Sequence, residues 1–192
     1  VVDLVAELLT EPKPPTIGVV SFNLKQRAAV LDALERRASA DAAFGEAWAS
    51  AEANERLDER PFVKNLEAVQ GDERDVIIFT LAHAPVTRTR KSGVADLYVP
   101  ARFGPLGQRG GERRLNVAIS RAKQRCYIVS SFSPEQLSTA GSSHVGPQLF
   151  KRYLEYAKLK SEGHASQAEG ILDPSRATAL RTVAVSYTHL TL

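Results

Sequence analysis

The period of the apolar positions changes along the chain, and the changes mark the elements. In Val1–Thr10 the apolar positions are 1, 2, 4, 5, 8 and 9, which fits a helix with one buried face. Glu11-Pro12-Lys13-Pro14-Pro15 ends it in a stiff connection, because proline has no amide N–H to continue a helix. Ile17–Phe22 is a short apolar run and predicts a buried strand. From Leu24 the spacing turns helical: Leu24, Ala28, Leu31 and Leu34 or Glu35 share a face, with Lys25, Arg27, Asp32 and Arg36 largely elsewhere. Ser39 to Arg60 is alanine-rich and charged. It predicts one or two surface helices, pinned to the core by Phe44 and Trp48, which lie four apart.

Phe62–Lys64 starts a second strand-like unit, and Asp75–Leu81 is the clearest buried strand of the chain: continuous, β-branched and flanked by polar residues. Ala84 to Gly111 contains three prolines and five glycines and predicts a long loop, with a small hairpin at Leu97–Val99. Glu112–Lys123 reads as a helix with Leu115, Ile119 and Ala122 on one face, and Arg125–Ser131 as another buried strand. Ser133-Pro134-Glu135 is a helix start, a serine cap followed by proline at the first helical position. Gly146-Pro147 opens a further helix carrying Leu149, Phe150, Tyr153, Leu154 and Ala157. Short apolar strands alternating with helices predict an α/β fold, a largely parallel sheet covered on both faces. Ligands of such sheets are expected at the carboxyl ends of the strands.

Composition changes this picture little. With 43% apolar and 24% charged residues among 192, the chain has the make-up of a globular domain. A net charge of +3 permits a nucleic-acid partner without demanding one. The single cysteine, Cys126, sits in an apolar run and reads as a small buried strand residue rather than a reactive thiol. One cysteine builds no disulfide framework, which makes a reducing, cytoplasmic setting the expectation. No stretch is long and apolar enough to predict a membrane span, so no membrane partner is expected. Without a single methionine, the chain is expected to be an internal piece of a longer reading frame.

Two segments carry candidate chemistry. Val69-Gln70-Gly71-Asp72-Glu73-Arg74-Asp75 is a polar turn entering the Asp75–Leu81 strand, with a glycine that allows close backbone approach by a ligand. Alone, it reads more readily as a solvated turn before a strand. Arg113–Lys123 is a cationic helix on which Arg114 and Arg121, seven apart, share a face. Arginine suits phosphate because its fork binds two oxygens and keeps its charge. Alone, this helix is an ordinary amphipathic helix with a basic outer face.

Taken together, the segments resemble superfamily 1 helicases. Gln70–Leu81 is similar to motif V (Q-G-x-E-x-D, then an apolar strand), and Arg114–Lys123 to motif VI (R-L-N-V-A-[LIT]-[ST]-R-A-[KR]). Ile17–Phe22 followed by Gln26 resembles motif IV. The subgroup resembled is the 1B, nonsense-mediated-decay type, in the form found in large bacterial multidomain helicases of the AAA type. The resemblance implies the C-terminal RecA-like motor domain, a P-loop NTPase-type fold without its own P-loop, over residues 1–134. A helical extension over 135–165 and a disordered or non-native tail over 166–192 would follow. It implies that Arg121 reaches the ATP γ-phosphate as a catalytic arginine finger, that Gln70, Gly71 and Glu73 line the nucleotide cleft with Glu73 toward the ribose, and that Asn116 and Ser120 support the arginine. Ser21, Phe22 and Asn65 are implied as nucleic-acid contacts. The partners implied are single-stranded DNA or RNA and the first RecA-like domain of the same full-length chain; the cofactors are ATP and Mg²⁺, the metal held mainly by that first domain.

The sequence departs from the complete family pattern in several places. It has no G-x-x-x-x-G-K-[ST] phosphate loop and no D-E-x-x pair for magnesium, so the segment by itself is expected not to hydrolyse ATP. Glu67 stands where many relatives have aspartate. The alternative reading is therefore a non-catalytic nucleic-acid or protein-binding module of helicase descent. The arginines between Pro85 and Gly111 read either as phosphate contacts over a nucleic-acid track or as a solvated loop. The four histidines have no metal-ligand spacing.

Overall fold

The computed structural model describes residues 1–171, except 82, 90, 92, 94 and 101, together with residues 187–189. Most of the expected tail over 166–192 lies outside the described residues, as does Arg90; residues 166–171, expected within that tail, are helical.

The chain forms α1 (Val2–Leu9), β1 (Ile17–Ser21), α2 (Leu24–Ala40), α3 (Ala42–Glu52), β2 (Phe62–Asn65) and β3 (Arg74–Thr80). A hairpin, β4 (Val86–Thr89) and β5 (Ala95–Tyr98), precedes α4 (Gly111–Ile119), β6 (Ala122–Ser130), α5 (Gly146–Ser161) and α6 (Ala165–Ile171). Tyr187–His189 (β7) lies parallel to the end of β6. The sheet order is β2-β1-β3-β6, then β7, and every pair is parallel. This is the α/β, RecA-like arrangement expected from the sequence, with helices on both faces.

Alternation along the strands divides the core in two. Ile17, Val19, Val76 and Ile78 pack with Val5 and Leu8 of α1, Val30 and Leu34 of α2 and Phe44 of α3. Val20, Ile77, Phe79, Cys126 and Ile128 face the other way, onto Leu115 and Ala118 of α4 and Phe150, Tyr153 and Leu154 of α5. Strands buried on both faces read as continuous apolar runs, and for that reason β1 and β3 are legible in the sequence.

Two local readings, the buried face of α2 and the end of α4, are corrected, while those of Ser39–Arg60 and Cys126 agree with the structure. The buried face of α2 is Val30 and Leu34, whereas Leu24 is 66% exposed; in the first turn it is Gln26 and Arg27 that reach the sheet, bonding the Thr80 hydroxyl and the Val63 carbonyl. Ser39 to Arg60 holds the end of α2 and one further helix, both fixed by Asp41. Its backbone N–H closes α2 on the Arg37 carbonyl, and its carboxylate accepts the Phe44 N–H that opens α3. Helix α4 stops at Ile119 rather than Lys123, with Ala122 already in β6. Cys126 is buried against the Tyr153 hydroxyl, and burial pushes its thiol up to about 12, so it stays protonated.

Asp75 ties together the entrances of three neighbouring strands. Its carboxylate accepts the Thr16 N–H (3.0 Å) and hydroxyl (2.9 Å), leading into β1, and the Gln124 amide (3.0 Å) on β6. Burial pushes its carboxyl up, but the two Thr16 bonds, nearby Lys123 and Gln124 outweigh this and hold it below the ordinary value. The folded state therefore binds the Asp75 proton less tightly than the unfolded chain does. Its stabilisation is complete above roughly pH 4 and fades as pH falls through the lower folded value. Asp75→Ala is expected to lower the stability of the chain by about 2 kcal/mol near neutral pH. Urea unfolding curves of the two proteins should converge in acid; parallel curves down to the acid limit would reject the assignment.

Candidate functional site

The turn between β2 and β3 is built around an anchored arginine. Arg74 is only 3% exposed; its guanidinium donates to the Arg60 carbonyl (2.8 and 2.6 Å) and lies over the Phe62 ring, 4.9 Å from the centroid. Val69 is fully buried at the other end, and Lys64 pairs with Asp72 at 2.6 Å. With both ends fixed, the crest projects: Gln70, Gly71 and Glu73 are exposed. Gly71 has φ +89°, which favours glycine, and nothing lies within 4 Å of where a side chain would begin, so the backbone here is open to close approach.

Arg121 sits beside this crest. It lies in the tight turn between α4 and β6, where its carbonyl accepts the Arg74 N–H at 3.1 Å, the contact that starts the β3–β6 ladder. Its Nε donates to the Val117 carbonyl (2.8 Å) and one terminal nitrogen donates to the Ser120 hydroxyl (2.9 Å). Ser120 in turn donates to the same Val117 carbonyl (2.9 Å). The remaining nitrogen is 3.7 Å from the Glu73 carboxylate, with the Arg121 side chain 19% and Glu73 52% exposed. The result is a guanidinium braced on one side and faced on the other by a solvated carboxylate. Such an exposed pair is weak and readily exchanged for a stronger anion.

This arrangement corrects two expectations. Arg121 and the Gln70–Glu73 crest occupy the amino ends of β3 and β6, not the carboxyl ends. Arg114 does not share a phosphate-facing surface with Arg121, since it donates to the Pro105 (3.3 Å) and Arg109 (3.2 Å) carbonyls in the preceding loop. Of the expected supports of Arg121, Ser120 touches it and Asn116 is exposed one turn away.

The carboxyl ends of β1 and β2 open instead onto a groove of about 790 Å³, lined by Phe22, Asn23, Lys25, Gln26, Asn65 and Pro105 among others. Phe22 forms part of its floor, largely buried against Phe150 and Phe79. Ser21 is fully buried and its hydroxyl donates to the Asn23 carbonyl (3.0 Å), so it shapes the rim without presenting a surface of its own. The half-buried Asn65 accepts the Ala68 N–H at 3.1 Å. The sequence reading missed Asn23 and Lys25. Asn23 caps α2 by accepting the Gln26 N–H (2.8 Å), and an asparagine directly after an apolar run was the available signal. Gln26 donates to the Thr80 hydroxyl (2.7 Å), linking the groove to the end of β3.

Comparison with known proteins gives two findings. Residues 1–133 match a family model described as an AAA domain. The chain is also similar to a Mycoplasma genitalium protein named uncharacterized ATP-dependent helicase MG140 (43% identical over 104 residues) and to its Mycoplasma pneumoniae homolog (41% over 108 residues). These alignments cover 53% and 56% of this chain but only 8% of each relative.

Proposed function

Because the chain belongs to the AAA domain family, we propose that it is the second motor domain of an ATP-dependent nucleic-acid helicase or translocase, supplying the arginine finger and part of the nucleic-acid track. The observation that carries this reading is the placement of the Arg121 guanidinium, braced by Val117 and Ser120 beside the Gln70–Glu73 crest at the sheet's amino edge. The two mycoplasma relatives, named as ATP-dependent helicases, support the class. The motif order supports superfamily 1 and its nonsense-mediated-decay type.

The donor set fits one wall of a nucleotide site. When bound, ATP supplies the phosphoanhydride to be cleaved and a dense negative charge between two motor domains. Arg121 would hold the γ-phosphate end, where a preorganised cation stabilises developing charge without having to reorganise. The exposed Glu73 carboxylate would accept the ribose hydroxyls once Arg121 turns to phosphate, and Gly71 lets the backbone come close. In this reading magnesium and the phosphate loop belong to the first motor domain, as the motif pattern implies. At the far end, Asn23, Lys25 and Asn65, over the Phe22 floor, would hold a single strand through its backbone, independent of sequence. No helix among the described residues is long and apolar enough to cross a membrane.

The test is ATP hydrolysis by the full-length protein. Single-stranded DNA or RNA is expected to raise the rate about tenfold, a coupling of ordinary size near 1.4 kcal/mol. A rate indifferent to both would reject the motor.

A further inference from the structure

The β4–β5 hairpin and its flanks are strongly basic, and no role above uses them. Residues 83–110 contain Arg88, Arg90, Lys91, Arg102 and Arg109 against one acidic residue, Asp96. Of 25 basic and 22 acidic residues in all, that leaves 20 basic and 21 acidic in the rest of the chain. The segment is therefore net positive by four charges, followed in sequence by a second basic run, residues 113–125, with five basic and no acidic residues.

The hairpin also presents itself. All four residues of β4 are exposed, Leu97 is 59% exposed, and Lys91 is exposed at the turn. Val86 pairs with Tyr98, and Arg88, in register with Asp96, lies two pairs along the ladder on the same face, its guanidinium 4.5 Å from the centroid of the Tyr98 ring. The base is tethered beside the groove. The hairpin leaves from the carboxyl end of β3 and returns through Val99, paired with Leu137, into a 3₁₀ turn (Gly104–Gly107) whose Gly104 and Pro105 line the groove wall.

We propose that this hairpin is a second nucleic-acid contact, an arm that grips the sugar–phosphate backbone of the strand where it enters or leaves the groove; the proposal rests on the motor reading above. Charge decides the partner. Two exposed apolar side chains are too few to drive a hydrophobic protein contact, whereas clustered arginine forks match phosphate oxygens. An arginine on a tyrosine face also makes a flat cationic surface on which an unpaired base can stack.

The experiment measures binding of fluorescent oligo-dT and oligo-U to the full-length protein across a salt series. The variant Arg88→Gln, Arg90→Gln, Lys91→Gln is expected to bind about tenfold more weakly at low salt. Its slope of log affinity against log salt should fall by about 2, since each single-strand phosphate contact contributes about 0.7. The Arg88→Lys, Arg90→Lys protein should keep the wild-type slope. A control removing exposed charges elsewhere, Lys13→Gln, Arg36→Gln, Arg56→Gln, should leave the slope nearly unchanged. An unaltered slope in the hairpin variant, or an equal drop in the control, overturns the arm and leaves the motor standing. Failure of the wild-type protein to bind either oligonucleotide overturns both.

Discussion

Replacing Arg121 with alanine in the full-length protein is expected to lower the rate of ATP hydrolysis by about 10³-fold or more, while the unfolding midpoint barely moves. Arginine fingers contribute about 10³ to 10⁵ in rate elsewhere in phosphoryl transfer, and 10³ corresponds to about 4 kcal/mol of barrier. The structural loss is smaller by comparison. The side chain bonds only the Val117 carbonyl and the Ser120 hydroxyl within its own turn, and its pairing with Glu73 at 3.7 Å is solvated. Arg121→Lys should recover little of the rate, because an ammonium cannot bond Val117 and Ser120 and still present a fork to phosphate. Steady-state hydrolysis measured beside thermal unfolding separates the two contributions. An alanine variant within about tenfold of wild type would remove Arg121 from the chemistry.

Gly111→Ala should be the most damaging small substitution to stability. A side-chain carbon at Gly111 would stand 2.1 Å from the Leu106 carbonyl oxygen, and one at Gly146 would stand 2.2 Å from the same oxygen. Helices α4 and α5 thus both begin against a single backbone atom. Neither can yield as a flexible side chain would, so the helices must part. A loss of about 3 kcal/mol, at the upper end for overpacking, is expected in urea unfolding. Because α4 leads directly into Ser120 and Arg121, ATP hydrolysis should fall with it even where the protein remains folded. A stability change under about 1 kcal/mol would mean that the contact relaxes freely.

How far the sequence could be read depended on the kind of signal. Strands β1 and β3 were legible because both their faces are buried. The Gln70–Glu73 turn and the basic run holding Arg121 each read as ordinary surface features alone, and it was their pairing in one motif pattern that picked them out. Their place at the amino edge was not legible, because the general rule for ligands of parallel sheets points to the other end. The overlong α4 has a specific cause: Leu115, Ile119 and Ala122 keep a helical period, but the Arg74 N–H captures the Arg121 carbonyl and draws the following residues into the sheet. Only the second strand of the hairpin was foreseen, at Leu97–Val99. Its partner, Val86–Thr89, is exposed on all four residues and leaves no buried alternation to find.

The seven residues of β3 set the crest and the groove about 20 Å apart, at opposite ends of one strut. Apolar layers pack that strut on both sides, which stiffens it, so a displacement at one tip would be carried towards the other. A tilt of roughly ten degrees pivoting at the Arg121 tip would sweep the Asn65 tip by about 3.5 Å over that length. In the proposed motor the stroke would be set by how far the whole block swings, and stiffening its interior would change the stride very little.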